Sequence, residues 1–363
     1  MKPWATTFKT PDRRFAYIGV GEEDGQLILH NLTQQQKTIL TTPDLVVTDF
    51  EFYPGGNKVL FSAFKTGELG LTENRLYSVE LNENNLDESA KSLTLVLDNE
   101  EYQNLGFRLS PDGKRIVAQR LNRKDPGDFG LFLLSADGII ESLENASGGE
   151  FLITPDGNNL AVSQGQGIAL LPLVPDSEPL EFLPKFGRIL DFSQDGRKAA
   201  MVNFNQDNPE LRDTTSLVVV NNQGGQQELF NTPGSIVRCD FTPTGSKLYC
   251  IITEVRVSNG EYLEQPFLAE VNLADQEVIK LLELENFQDT KLSISPDGLG
   301  LILDRIISTP ETNTAGKMRT NAGETIIGSQ IWLVLISPNA SSKEVEPELQ
   351  ELPLMGIKPQ WLP

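Results

Sequence analysis

The sequence is poor in the residues that usually build redox, metal and catalytic sites. Its 363 residues include only two cysteines, Cys239 and Cys250, and one histidine, His30. A Ser-His-Asp triad or a histidine-bound metal has at most His30 available, and no second cysteine pair exists to complete a zinc site. His30 stands near the end of a predicted third strand of the first repeat, where we interpret it as an ordinary surface or rim histidine.

Long apolar runs and an excess of positive charge are also missing. No stretch of eighteen apolar residues occurs and no apolar leader region follows the N-terminus, so neither a membrane span nor a signal peptide is visible. The compartment stays open: periplasmic or extracytoplasmic if a leader was removed, and cytoplasmic otherwise. The 30 Lys and Arg residues face 51 Asp and Glu residues, which gives a formal net charge of −21. Because such a surface repels phosphate, we expect no nucleic acid partner, and no membrane insertion.

The chain repeats one phrase, in which two short alternating segments flank a turn of the Pro-Asp-Gly type. Alternation of apolar and polar residues with period two predicts strands, and proline followed by Asp or Asn and glycine predicts a tight hairpin turn. Two further β-rich segments follow each phrase. The phrases are FEFYPGGNKVLF (50–61), FRLSPDGKRIVA (107–118), FLITPDGNNLAV (151–162), LDFSQDGRKAAM (190–201), CDFTPTGSKLYC (239–250) and LSISPDGLGLIL (292–303).

The spacing of these turns predicts a β-propeller. Successive turns lie 39 to 57 residues apart, close to the length of a four-stranded propeller blade. The C-terminal segment GIKPQWLP has the apolar spacing of a first strand, and TPDRRFAYIGV (10–20) supplies a turn and a second strand. We predict an all-β, seven-bladed propeller of four-stranded antiparallel blades, closed by the C-terminal strand in the N-terminal blade, with six or eight blades as the alternative. Residues 1–9 are predicted to be a tail and 10–363 a single domain.

The turn phrases resemble the WD40-like (PD40) repeat of TolB-type propellers. SPDG at 110–113 and 295–298 and TPDG at 154–157 carry the resemblance, which covers essentially the whole chain from Thr10 onward. Similar repeats build the propellers of TolB, a protein-docking component of the bacterial cell envelope, and of prolyl oligopeptidase relatives. The seven phrases differ from the six blades of TolB, and neither its small α/β domain nor a hydrolase domain is recognisable here. The resemblance therefore implies the fold more strongly than the function.

Both cysteines stand at positions where the other phrases carry apolar residues. Phenylalanine or leucine takes the place of Cys239, and Phe, Ala, Val, Met or Leu that of Cys250. We interpret the pair as buried core residues and favour free thiols, which behave as small apolar side chains. A disulfide is the alternative, because directly opposed strand residues approach closely enough to form one, although it would need an oxidising compartment.

The predicted architecture directs the search for a site to one face and to the channel. Long insertions fall between second and third strands, on the face opposite the Pro-Asp-Gly turns, and the longest spans 307–328. Lys317 and Arg319 lie in its acid-free stretch and are predicted to bind an acidic partner, with a solvated loop as the alternative. Arg305 and Arg108 complete the candidate partner-binding set. One column of the innermost strands is predicted to make polar contacts around the channel, as inter-blade pairs or as ligand contacts: Glu51, Arg108, Asp191, Asp240 and Gln360.

These observations predict a non-catalytic protein-protein interaction scaffold of TolB-like type, which binds a protein or peptide through the insertion-bearing face. We expect no cofactor or metal, and a monomer. Two alternatives stay open. The chain could bind a small molecule, peptide or sugar at the channel mouth, or be a propeller related to prolyl oligopeptidase-type hydrolases, in which case carboxylates or a metal would have to replace histidine.

Overall fold

The chain folds into seven antiparallel sheets that form the blades of a propeller, as seen in a computed structural model. The structure describes residues 13–81, 92–144, 146, 148–164, 167–177, 186–258, 261–284, 290–310, 318–320, 323–336 and 348–363. The predicted tail, 1–9, lies outside this set. The prediction of an all-β, seven-bladed propeller is confirmed.

Blades 2 to 7 pair their strands in chain order, with the innermost strand first, and in blade 1 the C-terminal strand takes the innermost position. Three strands of blade 4 lie among the described residues, and a short 3₁₀ helix, Leu71–Glu73, lies in a loop of blade 2. The strands are: blade 1, β27 (Gly356–Trp361), β1 (Arg14–Gly19), β2 (Leu27–Asn31), β3 (Gln36–Ile39); blade 2, β4 (Leu45–Phe52), β5 (Lys58–Lys65), β6 (Arg75–Glu80), β7 (Thr94–Leu97); blade 3, β8 (Tyr102–Leu109), β9 (Arg115–Asn122), β10 (Phe129–Ser135), β11 (Ile140–Ser142); blade 4, β12 (Phe151–Ile153), β13 (Asn159–Gln164), β14 (Gly167–Pro172); blade 5, β15 (Arg188–Phe192), β16 (Lys198–Asn203), β17 (Thr215–Asn221), β18 (Gln226–Thr232); blade 6, β19 (Ile236–Phe241), β20 (Lys247–Ser258), β21 (Glu261–Asn272), β22 (Val278–Glu283); blade 7, β23 (Leu292–Ile294), β24 (Gly300–Thr309), β25 (Thr325–Leu335), β26 (Glu348–Leu352).

The repeated turn is held by its own aspartate. In blade 3, Ser110 Oγ donates a hydrogen bond of 2.6 Å to Asp112 Oδ1, which also accepts one from the backbone N–H of Lys114 at 3.1 Å. Blades 4, 5 and 7 repeat this arrangement with Asp156, Asp195 and Asp297. An aspartate that bonds the local backbone fixes a turn in this way, which explains the Ser/Thr-x-Asp-Gly pattern of the sequence.

These turns lie together on one side of the disc, which we call the turn face. The turn glycines have positive φ, and those of blades 3 to 7 pack on the turn of the preceding blade. A Cβ built on these glycines would lie 3.1 to 3.9 Å from the neighbouring proline in the pairs Gly113–Pro54, Gly157–Pro111, Gly196–Pro155 and Gly298–Pro243. The second-to-third-strand connections leave the blades on the other side, which we call the loop face.

The C-terminal strand closes the ring in blade 1, as predicted. Phe15 of β1 pairs with Trp361 of β27, and the two rings meet edge to face with centroids 5.8 Å apart. The indole is 4% exposed and belongs to an apolar cluster that also contains Ile302 and Leu333 of blade 7. Arg13 adds an ion pair with Asp297 of blade 7, so both chain ends hold the same seam.

Cys239 and Cys250 form a disulfide in the core of blade 6, which corrects the preference for free thiols. They are directly opposed on β19 and β20, and neither is exposed to solvent. Phe241 and Leu248, two pairs further toward the turn, belong to the same apolar cluster. The predicted core position of both cysteines is therefore confirmed, and the disulfide given as the alternative is the form present.

One of the predicted insertions is an extension of two strands, and a second is so at both of its ends. In blade 6, β20 and β21 each have twelve residues and pair from Lys247 with Asn272 to Ser258 with Glu261. In blade 7, β24 and β25 continue the ladder as far as Thr309 with Thr325. The blade 6 hairpin carries regular backbone hydrogen bonding out to the loop face, so it projects rigid structure there. The blade 7 ladder has one register shift, between Ile307 and Ser308.

Candidate functional site

The centre of the ring contains polar side chains that join the innermost strands to each other. In three places a carboxylate or hydroxyl oxygen accepts the backbone N–H of a residue in the next blade. The donor–acceptor pairs are Leu109 N with Glu51 Oε2 (2.7 Å), Phe241 N with Asp191 Oδ2 (2.8 Å) and Trp361 N with Ser293 Oγ (3.1 Å). Innermost strands of neighbouring blades have no ladder between them, so their inward N–H groups need such acceptors. Two residues of the predicted polar column, Glu51 and Asp191, thus link blades.

A second level of charge lies closer to the loop face. This level is formed by the residues two positions before the polar column, which point to the same side of the strand. Arg238 therefore lies along β19 beside Asp240 and bonds it, with Nε 2.7 Å from Oδ2. Lys291 just before β23 and Lys358 of β27 occupy this level in the next two blades. We call Arg238, Lys291 and Lys358, from the consecutive blades 6, 7 and 1, the cationic arc. Asp49 of blade 2 follows them around the ring.

Buried carboxylates fix the backbone beneath this arc. Asp304 of β24 is 1% exposed, and its two oxygens accept the backbone N–H groups of Lys291 and Lys358, both at 2.6 Å. Lys358 has a φ of 53° at a bulge of β27. Its Nζ lies 2.8 Å from the carbonyl oxygen of Thr48 and 3.3 Å from Asp49 Oδ1. The positions of both lysines are therefore set by hydrogen bonds in the blade core.

The channel is lined by charged groups but open to water. The side chains of Asp49, Arg238 and Lys358 are 39%, 35% and 28% exposed. Arg108 of β8 is 40% exposed and pairs with Glu51 across the junction of blades 2 and 3, with Nη1 3.1 Å from Oε1. Such exposure at the axis of the disc means that solvent reaches these groups.

The packing perturbs several pKa values in the channel. Burial, with repulsion from Lys358 and Arg238, lowers the pKa of Lys291 to about 8. Burial raises the pKa of Asp304 to about 6. Burial and the neighbouring Asp240 raise the pKa of Asp191 to about 7. Titratable groups with such shifts concentrate at functional sites, although structural networks perturb pKa values as well.

The predicted partner-binding residues are spread over two regions. Arg108 lines the channel. Arg305 and Arg319 belong to the blade 7 hairpin, where Arg305 Nη1 bonds Gln330 Oε1 at 3.2 Å and Arg319 Nη1 bonds the carbonyl oxygen of Gly323 at 3.3 Å. Lys317 lies outside the described residues.

The described part of the blade 7 insertion is docked on the neighbouring blades. Met318, next to Arg319, is 5% exposed and Ile326 is 4% exposed. Both belong to the apolar cluster of blades 1 and 2, together with Val46 and Phe64. The backbone N–H of Ile326 donates to the carbonyl of Met318 at 3.0 Å. Arg319 is therefore presented from an anchored segment and not from a freely solvated loop.

Exposed apolar side chains concentrate on the loop face. Of sixteen large apolar residues that are exposed in the described part of the chain, nine lie in second-to-third-strand connections or in the strand ends beside them. They are Leu69, Leu71, Phe129, Phe204, Val257, Tyr262, Leu263, Ile307 and Ile327. Clustering of exposed apolar residues on one face is typical of an interaction surface.

The hairpin of blade 6 presents three of these residues at its end. Val257 and Tyr262 are a directly opposed pair, 66% and 80% exposed, and Leu263 beside them is 52% exposed. Below them, four surface charges form a network in which Arg256 and Lys280 each contact both Glu254 and Glu283 at 2.5 to 3.2 Å. The network crosses from the hairpin to β22, and holds the end of the hairpin in place.

A cleft of about 510 Å³ lies beside this hairpin, between blades 5 and 6. Phe204 and Arg212 of the blade 5 connection and Glu264 of the blade 6 hairpin line it, together with Ser235 between the blades. Glu264 is held by the hydroxyl of Thr253 at 2.7 Å. The cleft offers apolar, cationic and anionic groups within one recess of the loop face.

The interpretation of His30 as a surface or rim residue is wrong. His30 is 8% exposed and packs on Phe15, with ring centroids 5.4 Å apart. Burial and the nearby Lys37 lower its pKa. Within the described ranges, no group of three or more His, Cys, Asp or Glu side chains is placed to hold a metal ion. No helix in these ranges is long and apolar enough to cross a membrane.

Comparison with known proteins supports the fold. No family model matches the sequence, and no curated protein matches it. TolB from Acinetobacter baumannii matches with a TM-score of 0.51 and 13% identity over 97% of this chain and 67% of that one. A putative 6-phosphogluconolactonase from Bacteroides fragilis matches with a TM-score of 0.54 and 14% identity over 97% and 98% of the two chains.

A prolyl endopeptidase matches with a TM-score of 0.51 and 13% identity over 86% of this chain and 44% of that one. This chain thus spans less than half of the prolyl endopeptidase. At such identities the likeness shows a β-propeller fold, shared by TolB-like and hydrolase-like proteins. Membership of the PD40 repeat family stays a prediction from the sequence motifs.

Proposed function

We propose that this chain is a non-catalytic interaction propeller that binds a protein or peptide partner through its loop face. The observation that carries the proposal is the rigid blade 6 hairpin, which presents Val257, Tyr262 and Leu263 to solvent. Aromatic residues held in place at a surface are typical centres of protein interfaces, because little side-chain entropy is lost when they bind. The neighbouring cleft at Phe204 and Arg212 extends this surface.

The cations of the blade 7 hairpin favour a partner with acidic groups. Arg319 is exposed and anchored on the loop face, and Lys317 precedes it by two positions in a stretch without acids. In a chain with a net charge of −21, exposed cations on one face select partners by charge and speed their encounter. Arg305, at the base of the same hairpin, is the third cation of this set.

A TolB-like role as a docking component is the finer form of the proposal. It draws on the sequence resemblance and on the fold shared with TolB from Acinetobacter baumannii. The hydrolase-related alternative draws on the equally similar fold of a prolyl endopeptidase. An enzyme would have to use carboxylates or a metal, since His30 is buried against Phe15.

Affinity capture with the full chain, followed by reconstitution with the purified partner, tests the proposal. The double variant Val257→Ser/Tyr262→Ser should weaken binding by about thirtyfold, equivalent to about 2 kcal/mol for the loss of an interface centre. Ile139→Ser/Ile140→Ser is the matched control, because these residues are 52% and 44% exposed near the opposite face. Equal affinity of wild type and the blade 6 variant would remove the hairpin from the interface.

The predicted basic pair is tested with the same partner. Lys317→Ala/Arg319→Ala should weaken capture at low salt and do so less at high salt, because surface charges act through screened attraction. Neither substitution removes a buried apolar group, so the melting temperature should stay unchanged. Unchanged binding at low salt would separate this pair from the partner site.

A further inference from the structure

One ammonium group in the channel makes no direct ion pair within the part of the chain that the structure describes. Within the cationic arc, Arg238 is paired with Asp240 at 2.7 Å and Lys358 with Asp49 at 3.3 Å. For Lys291 Nζ, no hydrogen bond or ion pair occurs with any residue in the described ranges. Its backbone is nevertheless fixed, because its N–H donates to Asp304.

Cations flank Lys291 on both sides, and Asp49 and Asp304 attract its ammonium without forming an ion pair with it. Lys358 and Arg238, in the two adjacent blades, both repel its ammonium, and Arg108 adds to this repulsion. Holding three cations at one level of the channel costs free energy, since like charges repel one another. The junctions between the blades are bonded through Glu51, Asp191, Ser293 and Asp304, and none of these bonds uses the Lys291 ammonium.

We propose that the cationic arc binds the oxyanion group, a carboxylate or a phosphate, of a small molecule that enters the channel from the loop face. Lys291 supplies the free ammonium, and Arg238 and Lys358 flank it. Charge-assisted hydrogen bonds to an oxyanion are among the strongest that side chains make. The proposal goes beyond partner binding at the blade 6 hairpin and does not depend on it.

The pKa values predict how binding depends on pH. Lys291 must be protonated to hold an anion, and because its pKa is lowered to about 8, affinity should fall as the pH rises through this value. An unperturbed lysine would keep its charge to higher pH. Protonation of the acids that face the arc also raises the affinity for an anion as the pH falls, because Asp304 becomes neutral below about pH 6. Asp49, Glu51, Asp191 and Asp240 are the other acids of the channel, and affinity should be highest on the acidic side of neutrality.

Calorimetric titration of the full chain with inorganic phosphate and with citrate tests the proposal. Both are titrated at fixed ionic strength with chloride as the balancing anion, so that non-specific screening stays constant. Wild type should bind at least one probe saturably at millimolar concentration, and comparison of the two distinguishes phosphate from carboxylate. Lys291→Gln should bind the same probe at least tenfold more weakly. Lys114→Gln is the control, because Lys114 is exposed on the turn face.

A chemical readout locates the probe at Lys291 itself. Limited acetylation with acetic anhydride near pH 8, followed by peptide mass spectrometry, should modify Lys291 early, because a larger fraction of its amine is neutral. The bound probe should slow this modification and leave that of Lys114 unchanged. The proposal is overturned if neither probe binds wild type, if Lys291→Gln binds as well as wild type, or if a saturating probe leaves the acetylation of Lys291 unaffected.

Discussion

Replacing Trp361 by alanine should destabilise the whole ring, because this side chain fills the seam where the two chain ends meet. The indole contacts Phe15 in its own blade and shares a cluster with Ile302, Ile331 and Leu335 of blade 7. A methyl group at Gly300 of blade 7 would come within 3.5 Å of the indole. The substitution therefore opens a cavity between two blades and not within one.

The expected loss of unfolding free energy is about 3–5 kcal/mol, the range for replacing a buried tryptophan by alanine. At about 2 °C for each kcal/mol in a large domain, the melting temperature should fall by about 6–10 °C. Removing 356–363 should cost more, because Ile357 is also buried, the Lys358 bond to Asp304 is lost, and β1 becomes an open edge.

Thermal unfolding followed by circular dichroism measures both effects. Trp332→Ala is the matched control, because Trp332 lies on β25 and is only partly buried. It should lower the melting temperature by less than Trp361→Ala does. A synthetic peptide of sequence GIKPQWLP, added to the truncated chain, should raise its melting temperature by occupying the empty strand position. The closure assignment would be refuted if Trp361→Ala melted like wild type and the peptide had no effect on the truncated chain.

Two further predictions concern the core. The Asp191→Asn variant should show a weaker decline of stability between about pH 4 and pH 7 than wild type in melts across this range. The reason is that burial raises the pKa of Asp191 to about 7 in the folded state, so the stability that it contributes is present below its ordinary pKa and lost as the pH rises through the raised value. Thiol titration should find no reactive cysteine in native protein or in denaturant alone, and two in denaturant with reductant, since Cys239 and Cys250 are joined and buried. Two thiols in denaturant without reductant would contradict the disulfide.

The blades and their closure could be predicted because local chemistry determines them. Ser110, Asp112 and Gly113 fix a turn through contacts within five residues, and such contacts leave a readable pattern. The pairing of Cys239 with Cys250 followed from the same register. Their oxidation did not, because both a thiol and a disulfide fit an apolar core position.

The channel residues were harder to predict because they depend on contacts between distant segments. Lys358 points at Thr48 and Asp49 from a bulge, and alternation in the sequence does not reveal a bulge. Asp304 lies on a second strand yet bonds the innermost strands of two blades. The sequence does indicate the blade 6 extension, because the Asn259-Gly260 dipeptide between alternating segments is typical of a hairpin turn.

The acids and the cations of the channel have different physical roles. Neighbouring innermost strands leave backbone N–H groups without a ladder partner, and a carboxylate can accept them, as Glu51 and Asp191 do. A lysine or arginine has no lone pair for this purpose. A cation of the channel therefore has a structural explanation only where it pairs with a channel acid or bonds a carbonyl oxygen. This holds for Arg108, Arg238 and Lys358. Lys291 attracts Asp304 and Asp49 through its charge but makes no hydrogen bond or ion pair with any described residue, and for this reason its ammonium is the group in the channel that we assign to a ligand.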